Sequence, residues 1–357
     1  MKKNSSSKAT DSKINSFENK KICGIYYLRD QNGMPFHRAH MPWFDSIPNL
    51  KITSYKLDIL PDAISSGGIL AQKSSFLKST IMPQADIYIM ESISCIPSVI
   101  FKKGKKIIIN TDTFFKDLEN YSGIKKKYAN WLLNKVDGII STSPMMRELS
   151  RKYTDVPNEV IYPFVDVKKF LKIKPKYKKH TICSINMSHS KGTDILVEVF
   201  KKYQEIHKDA KLIVLGEDSM KKEIQKVPGV ITPGFCDPAP YLKEASIYMN
   251  TARHEPFGLN IIEAMASGQI PIVSEYCGAK EFVEKVDKSL ITDLNPENIL
   301  KTILKVEKRK DLAKLRETCR QVAREFTKEK CVNDFKLKLN KLLEDIEHDE
   351  KEKNKVT

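Results

Sequence analysis

Short, continuous apolar runs rich in Ile, Val and Tyr alternate with helical spans along most of this chain, and that alternation constrains its fold most. The first block holds KKICGIYYL, which breaks at the loop Arg29-Asp30-Gln31-Asn32-Gly33, then ADIYIM (Ala85 to Met90), KKIIIN (Lys105 to Asn110) and VDGIIST (Val136 to Thr142). The second block runs TICSINM, DILVEVFKKYQEIH, KLIVLG, VITPGF, PYLKEA, IYMNT, NIIEAMASG and QIPIVSE. Continuous apolar strands alternating with helices predict parallel sheets covered on both faces. Two such blocks predict an α/β chain of two Rossmann-like domains with a cleft between them. Ligands of such sheets bind beyond the carboxyl ends of the strands, so the loops there are where chemistry is expected.

Between the blocks, KKFLKIKPKYKKH carries seven Lys in thirteen residues, with one Pro and little apolar content. It reads as an interdomain linker over 166–179. The expected organisation is a polar, disordered tail (1–20), a first domain (21–165), that linker, a second domain (180–325), and a C-terminal helix with its tail (326–357). The stretch from Asp311 to Ile346 reads as long, charged helix, and EHDEKEKNKVT as its frayed end. The length of 357 residues agrees, since about 150 residues per domain gives roughly two domains.

A net charge of +16 and a pI near 9.3 favour anionic partners: nucleotides, nucleic acid or an anionic membrane surface. Nucleic acid is disfavoured, because the Lys residues spread over both halves and no recognition module is present. The seven Cys (Cys23, Cys95, Cys183, Cys236, Cys277, Cys319, Cys331) are scattered, with no C-x-x-C pair, so they read as reduced thiols. The N-terminus has no apolar h-region, and the best apolar stretch, Ile87 to Phe101, is broken by Glu91 and Pro97. A cytoplasmic protein that meets membranes only from outside is expected. No H-x-E, C-x-x-C or carboxylate cluster reads as a metal site.

The densest chemical signal is TARHEPFGLNIIEAMASG, residues 251–268. It follows the strand IYMN and opens a helix near Leu259. Gly258 sits at the turn, where the missing Cβ lets backbone N–H groups approach a ligand. The helix N-terminus there suits a phosphate. Glu255 precedes the helix and Glu263 lies about one turn into it, so both carboxylates are expected in one pocket. Carboxylates repel phosphate, so their partners would be hydroxyls. Hydroxyl-rich groups flanking phosphates describe a sugar nucleotide. The competing reading is an ordinary strand-turn-helix with solvated glutamates.

EPFGLNIIEAMASG resembles the E-x7-E signature of the retaining family-4 glycosyltransferases, which have the GT-B fold. The resemblance extends through Leu212 to Gly216, Pro233-Gly234-Phe235 and Gln269 to Val273 into Gly278-Ala279-Lys280-Glu281. It implies that Glu255 binds the donor sugar hydroxyls and Glu263 the ribose. It also places the backbone of Phe257, Gly258 and Leu259 against the diphosphate, with Gly234 and Phe235 on the donor side. Lys191, in the loop SINMSHSKG before a helix, is a point-charge phosphate binder or an ordinary surface Lys. The family's Arg five positions earlier is replaced by Asn186, which brings no charge.

The first domain matches less well, and the family's His after the strand KKIIIN is missing. Asp112 stands there, either as a polar or acid/base contact or as the cap of the next helix. His37 and His40 lie beyond the first strand and are acceptor-side candidates or structural residues. Lys125, Lys126 and Lys127 beside Trp131, Leu132 and Leu133 describe either a face resting on an anionic leaflet or a core-facing helix with a solvated Lys face.

The resemblance implies a retaining hexosyltransferase that needs no cofactor and no metal. Its donor would be a UDP- or GDP-linked sugar and its acceptor a glycan or lipid-linked hydroxyl. A sugar-nucleotide epimerase of the same fold is the alternative, and a basic nucleic-acid binder a further one.

Overall fold

The computed structural model describes residues 19–28, 40–47, 50–56, 80–185, 187–217 and 220–356. The expected tail and the candidates His37 and Asn186 lie outside these residues, apart from the tail's last two positions. The chain divides into two compact units, residues 1–164 with 329–357, and residues 165–328.

The first unit contains β1 (Ile22–Leu28), α1 (Met41–Phe44), β2 (Lys51–Lys56), β3 (Ile87–Met90) and β4 (Lys105–Asn110). It continues with α2 (Phe114–Asp117), α3 (Gly123–Leu133), β5 (Gly138–Ser141), α4 (Pro144–Arg151) and β6 (Asn158–Val160). The strands form one sheet in the order β2-β1-β3-β4-β5-β6, every neighbouring pair parallel. The edge strands KITSYK and NEV lack a continuous apolar run, so the apolar pattern alone does not announce them.

The second unit holds α5 (Val167–Leu171), β7 (Thr181–Ile185), α6 (Thr193–Ile206), β8 (Lys211–Leu215), α7 (Lys221–Ile224), β9 (Val230–Gly234) and α8 (Ala239–Glu244). There follow β10 (Ile247–Asn250), α9 (Leu259–Ala266), β11 (Ile270–Ser274), α10 (Lys280–Glu284), β12 (Ile291–Thr292), α11 (Pro296–Glu307) and α12 (Leu312–Ala323). Its sheet is also all parallel, in the order β12-β11-β10-β7-β8-β9. This is the dinucleotide-fold order, which reverses direction between β7 and β10 and opens a crevice at their carboxyl ends.

The Lys-rich stretch 166–179 is not a free linker but part of the second unit. Its few apolar residues anchor it. Phe170 is buried, the Tyr177 hydroxyl donates to the Gly268 carbonyl at 2.8 Å, and the Arg316 guanidinium lies 3.7 Å from the Tyr177 ring centroid. Lys176 and Lys178 donate their backbone N–H groups to the carbonyls of Lys243 and Glu244, both at 2.8 Å. Lys side chains keep their heads in water while the backbone packs, which is why composition alone suggested a linker.

The expected long C-terminal helix is two helices. α12 packs within the second unit, and after a break α13 (Lys328–Val356) runs on the first. The tail is helical through Val356, with Lys353–Asp349 and Lys355–Glu352 ion pairs at 2.7 Å along it. Phe335, Leu339, Leu342, Leu343 and Ile346 of α13 are buried against Ile87, Ile89, Ile107 and Ile109 of the first sheet. The Trp43 and Phe335 rings stack at 5.2 Å with 3° between their planes. Among the described residues, no helix is long and apolar enough to cross a membrane.

Phe335 has no exposed surface, so Phe335→Ala leaves a cavity at the junction of α1, α13 and the sheet. The expected cost is about 3–5 kcal/mol, read as an earlier urea midpoint of the transition that Trp43 fluorescence follows.

Candidate functional site

The crevice at the β7/β10 reversal is built by two loops, residues 187–192 after β7 and 251–258 after β10. Gly192 caps α6 with φ +68°, and a Cβ there would lie 1.9 Å from the Thr251 carbonyl oxygen. Only glycine permits that approach. The Thr251 hydroxyl donates to the Gly192 carbonyl at 2.8 Å, and the Arg253 N–H to the Ser190 carbonyl at 3.0 Å. Arg253 also forks onto both carboxylate oxygens of Asp194, at 2.8 and 2.7 Å, and donates to the His189 carbonyl at 2.6 Å. That guanidinium holds the Asp194 carboxyl below its usual range.

The two docked loops bring Lys191 to Glu255, with Nζ 2.9 Å from Oε2. Glu255 is only 8% exposed. Its backbone is pinned by the Glu255 N–H to Tyr276 carbonyl bond (3.0 Å) and the Gly278 N–H to Glu255 carbonyl bond (2.8 Å). Gly258, with φ +99°, caps α9, and a Cβ there would meet the Ile261 side chain at 2.7 Å and the Glu255 side chain at 3.2 Å. The first N–H groups of a helix have no acceptor within it, so the opening of α9 offers donors beside the Lys191–Glu255 pair. Phe257 turns its ring inward, 6.1 Å from Phe282 and 6.0 Å from Phe326, and its carbonyl accepts from the Ala279 N–H at 2.7 Å. Asn260 ties the first turn of α9 to the end of β7, its amide donating to the Ile185 carbonyl at 3.4 Å.

Glu263 occupies a different electrostatic setting from Glu255. Burial lifts its pKa to about 7, the Asp166 and Asp237 charges add to the rise, and Lys169 opposes it. Lys169 is itself paired with Asp237 at 2.7 Å. Near neutral pH, Glu263 is therefore poised to accept or donate a hydrogen bond.

The other expected residues fall as follows. Gly234 ends β9 with φ +91°, its carbonyl accepting from the Gly216 N–H at 3.0 Å, and Phe235 beyond it is 74% exposed. Asp112 accepts from the Phe114 N–H at 2.9 Å, a local turn just before α2, whose N-cap is Thr113. His40 is buried with its ring 4.7 Å from that of Trp43, so it packs the first core. Arg253, Asp194, Thr251 and Asn260 were missed by the sequence reading. Arg253 lies inside the strongest motif, yet its partner Asp194 is distant in sequence and no local pattern pairs them.

Comparison with known proteins places these observations. Residues 166–326 match the family described as Glycosyl transferases group 1, a span nearly coincident with the second unit. The second unit is thus similar to that family over nearly its whole length. A lipopolysaccharide core biosynthesis mannosyltransferase, LpcC of Rhizobium leguminosarum bv. viciae, is 25% identical over 177 residues, 42% of this chain and 47% of that protein. The match thus spans about half of that relative's length. Sucrose-phosphate synthase from Thermosynechococcus elongatus superposes with a TM-score of 0.71 at 14% identity, covering 90% of this chain and 98% of that one. Anabaena HepE, crystallised with UDP-glucose, superposes at 0.67 and 14% identity, covering 90% of this chain and all of that one (100%). The fold is GT-B, with two parallel α/β sheets.

Because Glu263 has a folded pKa raised from 4.5 to about 7, the folded state binds its proton more tightly than the unfolded chain. Its ionisation therefore lowers stability as pH rises from about 4.5 through 7, by on the order of 2–3 kcal/mol at completion. Glu263→Gln is expected to unfold at higher temperature than the parent at pH 8. The gain should vanish at pH 4.5 in paired thermal melts.

Proposed function

We propose that this chain is a glycosyltransferase that moves a hexose from a nucleoside-diphosphate sugar, UDP- or GDP-linked, to a hydroxyl of a glycan or lipid-linked acceptor. The observation that carries this reading is the Lys191–Glu255 pair at the reversal point of the second sheet, beside the opening of α9. A cation and open N–H donors suit a diphosphate, and a buried carboxylate beside them suits the hydroxyls of the attached sugar.

In this reading the departing diphosphate gathers negative charge as the glycosidic bond breaks. Lys191 and the N–H groups at Gly258 and Leu259 stabilise that charge, a fixed electrostatic contribution that needs no metal. Glu255 accepts from the hexose hydroxyls and fixes the orientation of the ring. Glu263 takes the ribose hydroxyls, in either protonation state, and Gly234 and Phe235 border the donor. With Glu255 held on the hexose hydroxyls and not at the anomeric carbon, retention of configuration would follow from attack on the face the diphosphate leaves.

A donor screen on purified protein, reading nucleotide release across UDP-, GDP- and ADP-sugars with and without lipid acceptors, identifies the substrate pair. Lys191→Ala is expected to weaken donor binding about 10- to 100-fold, the loss of one charged hydrogen bond. Glu255→Ala should cut transfer at least about 100-fold, the value of one well-placed polar contact at a reacting centre, with an unchanged circular dichroism spectrum. Chelated enzyme should turn over at the same rate with or without Mg²⁺ or Mn²⁺. Normal turnover by Glu255→Ala, or a strict demand for either ion, would remove the assignment.

We further propose that the first unit rests on an anionic leaflet when the acceptor is lipid-linked. α3 buries Ala129, Leu132 and Leu133 in the core, so these are not the contact. Lys126 and Lys127 remain exposed, beside Ile124 at 75% and Trp131 at 38% exposure. Each Lys near such a surface contributes about 1 kcal/mol of attraction. Sedimentation with anionic but not neutral liposomes is expected, weakening as salt rises. Changing Lys125, Lys126 and Lys127 together to Glu should abolish it without altering donor hydrolysis. Equal binding to neutral vesicles would overturn the idea.

A further inference from the structure

His180, His207 and Glu307 converge at the opposite, amino-terminal edge of the second sheet. His180 immediately precedes β7, His207 caps the end of α6, and Glu307 is the last residue of α11. One nitrogen or oxygen atom from each lies within 4.8 Å of the others. The two imidazole rings stack at 3.8 Å with 18° between their planes. We propose that these three side chains form a binding site for a borderline transition-metal ion, Zn²⁺ above all, separate from the donor crevice.

The surroundings already hold the ligands as a metal site requires. His180 Nδ1 lies 2.9 Å from Asp209 Oδ1, a contact in which a ring N–H is donated outward to a carboxylate. In the neutral ring that donation leaves Nε2 as the lone pair. The Tyr203 hydroxyl donates to Glu307 Oε1, leaving Oε2 turned towards His207. Outer partners of this kind are what orient histidine and carboxylate ligands on a metal.

His207 supplies the remaining argument. Its Nε2 is buried and makes no hydrogen bond among the described residues, although Glu307 Oε2 is only 3.3 Å away. The pair is close but misaligned for a proton between them, whereas a cation can take a lone pair from both. Two imidazoles and one carboxylate suit Zn²⁺, Co²⁺ or Ni²⁺, and offer too few oxygens for Mg²⁺ or Ca²⁺. With the His180 ring held on Asp209, a shift of the His207 ring out of the stack would bring both nitrogens to about 2.1 Å from one ion. About a fifth to a quarter of each side chain is exposed (22, 24 and 23%), so water can fill the fourth position.

Such an ion would join the start of β7, the end of α6 and the end of α11. It would therefore brace the second unit from the edge remote from Lys191 and Glu255, and raise its stability by binding only the folded state.

The test uses the full chain, stripped with chelator and dialysed. Titration with Zn²⁺ followed by calorimetry should show one saturable site per chain, with a rise in melting temperature that Mg²⁺ does not reproduce. His180→Ala and His207→Ala should each abolish that site and the thermal shift. Asp209→Asn, at an exposed position, should leave a folded protein whose affinity falls about 10- to 100-fold. Co²⁺ in place of Zn²⁺ should give visible bands without a thiolate charge-transfer band, which separates this site from the seven Cys. No saturable Zn²⁺ binding, binding unchanged in His207→Ala, or a thiolate band would overturn the proposal.

Discussion

At Gly192 the chain turns left-handed with no room for a Cβ against the Thr251 carbonyl, and the crevice of the second unit depends on that contact. It lets the loop after β7 lie flat on the loop after β10. The Arg253–Asp194 fork then locks the two together across the crevice. Neither Arg253 nor Asp194 needs to touch a ligand to matter. Their pairing sets where Lys191 emerges, and Lys191 emerges 2.9 Å from Glu255. A long, flexible ammonium is thereby given one position, which a solitary surface Lys lacks.

The two glutamates of the motif then divide the chemistry through their environments. Glu255 is buried next to a cation, so its carboxylate is compensated and ready to accept from hydroxyls. Glu263, partly buried, feels two further carboxylates, and its nearby Lys169 is already paired with one of them. Identical side chains eight residues apart in sequence thus meet different neighbouring charges, and those around Glu263 raise its pKa. The spacing of the motif is visible in the sequence. That division is not, because Asp166, Lys169 and Asp237 come from other segments.

The same limit explains what could be read ahead of the structure and what could not. Strands buried on both faces, such as IYMN, KLIVL and IPIVS, announce themselves by composition, and so did the α/β plan with its helix opening at Leu259. The edge strands KITSYK and NEV did not, since an edge needs no continuous apolar run. Lys-rich 166–179 misled because its charges dominate its composition while Phe170 and Tyr177 decide its packing. His40 was weighed as an acceptor-side candidate, and only the Trp43 ring against it shows the packing role. The His180, His207 and Glu307 grouping has no sequence signature at all, because its members are far apart along the chain.

The packing of α13 adds a constraint on how the chain can be built. The isoleucines of β3 and β4 on one face of the first sheet meet side chains from a helix that follows the entire second unit. Closing so long a loop costs entropy, though the cost grows only slowly with length. The second unit reduces it by clasping its own entering and leaving segments. Arg320 of α12 donates to the carbonyls of Leu171 and Ile173, and Arg316 lies over Tyr177. Within the first unit, the Cys331 thiol reaches the Tyr162 carbonyl at 3.8 Å and the Trp43 indole N–H reaches the Cys331 sulfur at 3.1 Å. The core of the first unit is therefore completed by the last segment of the sequence.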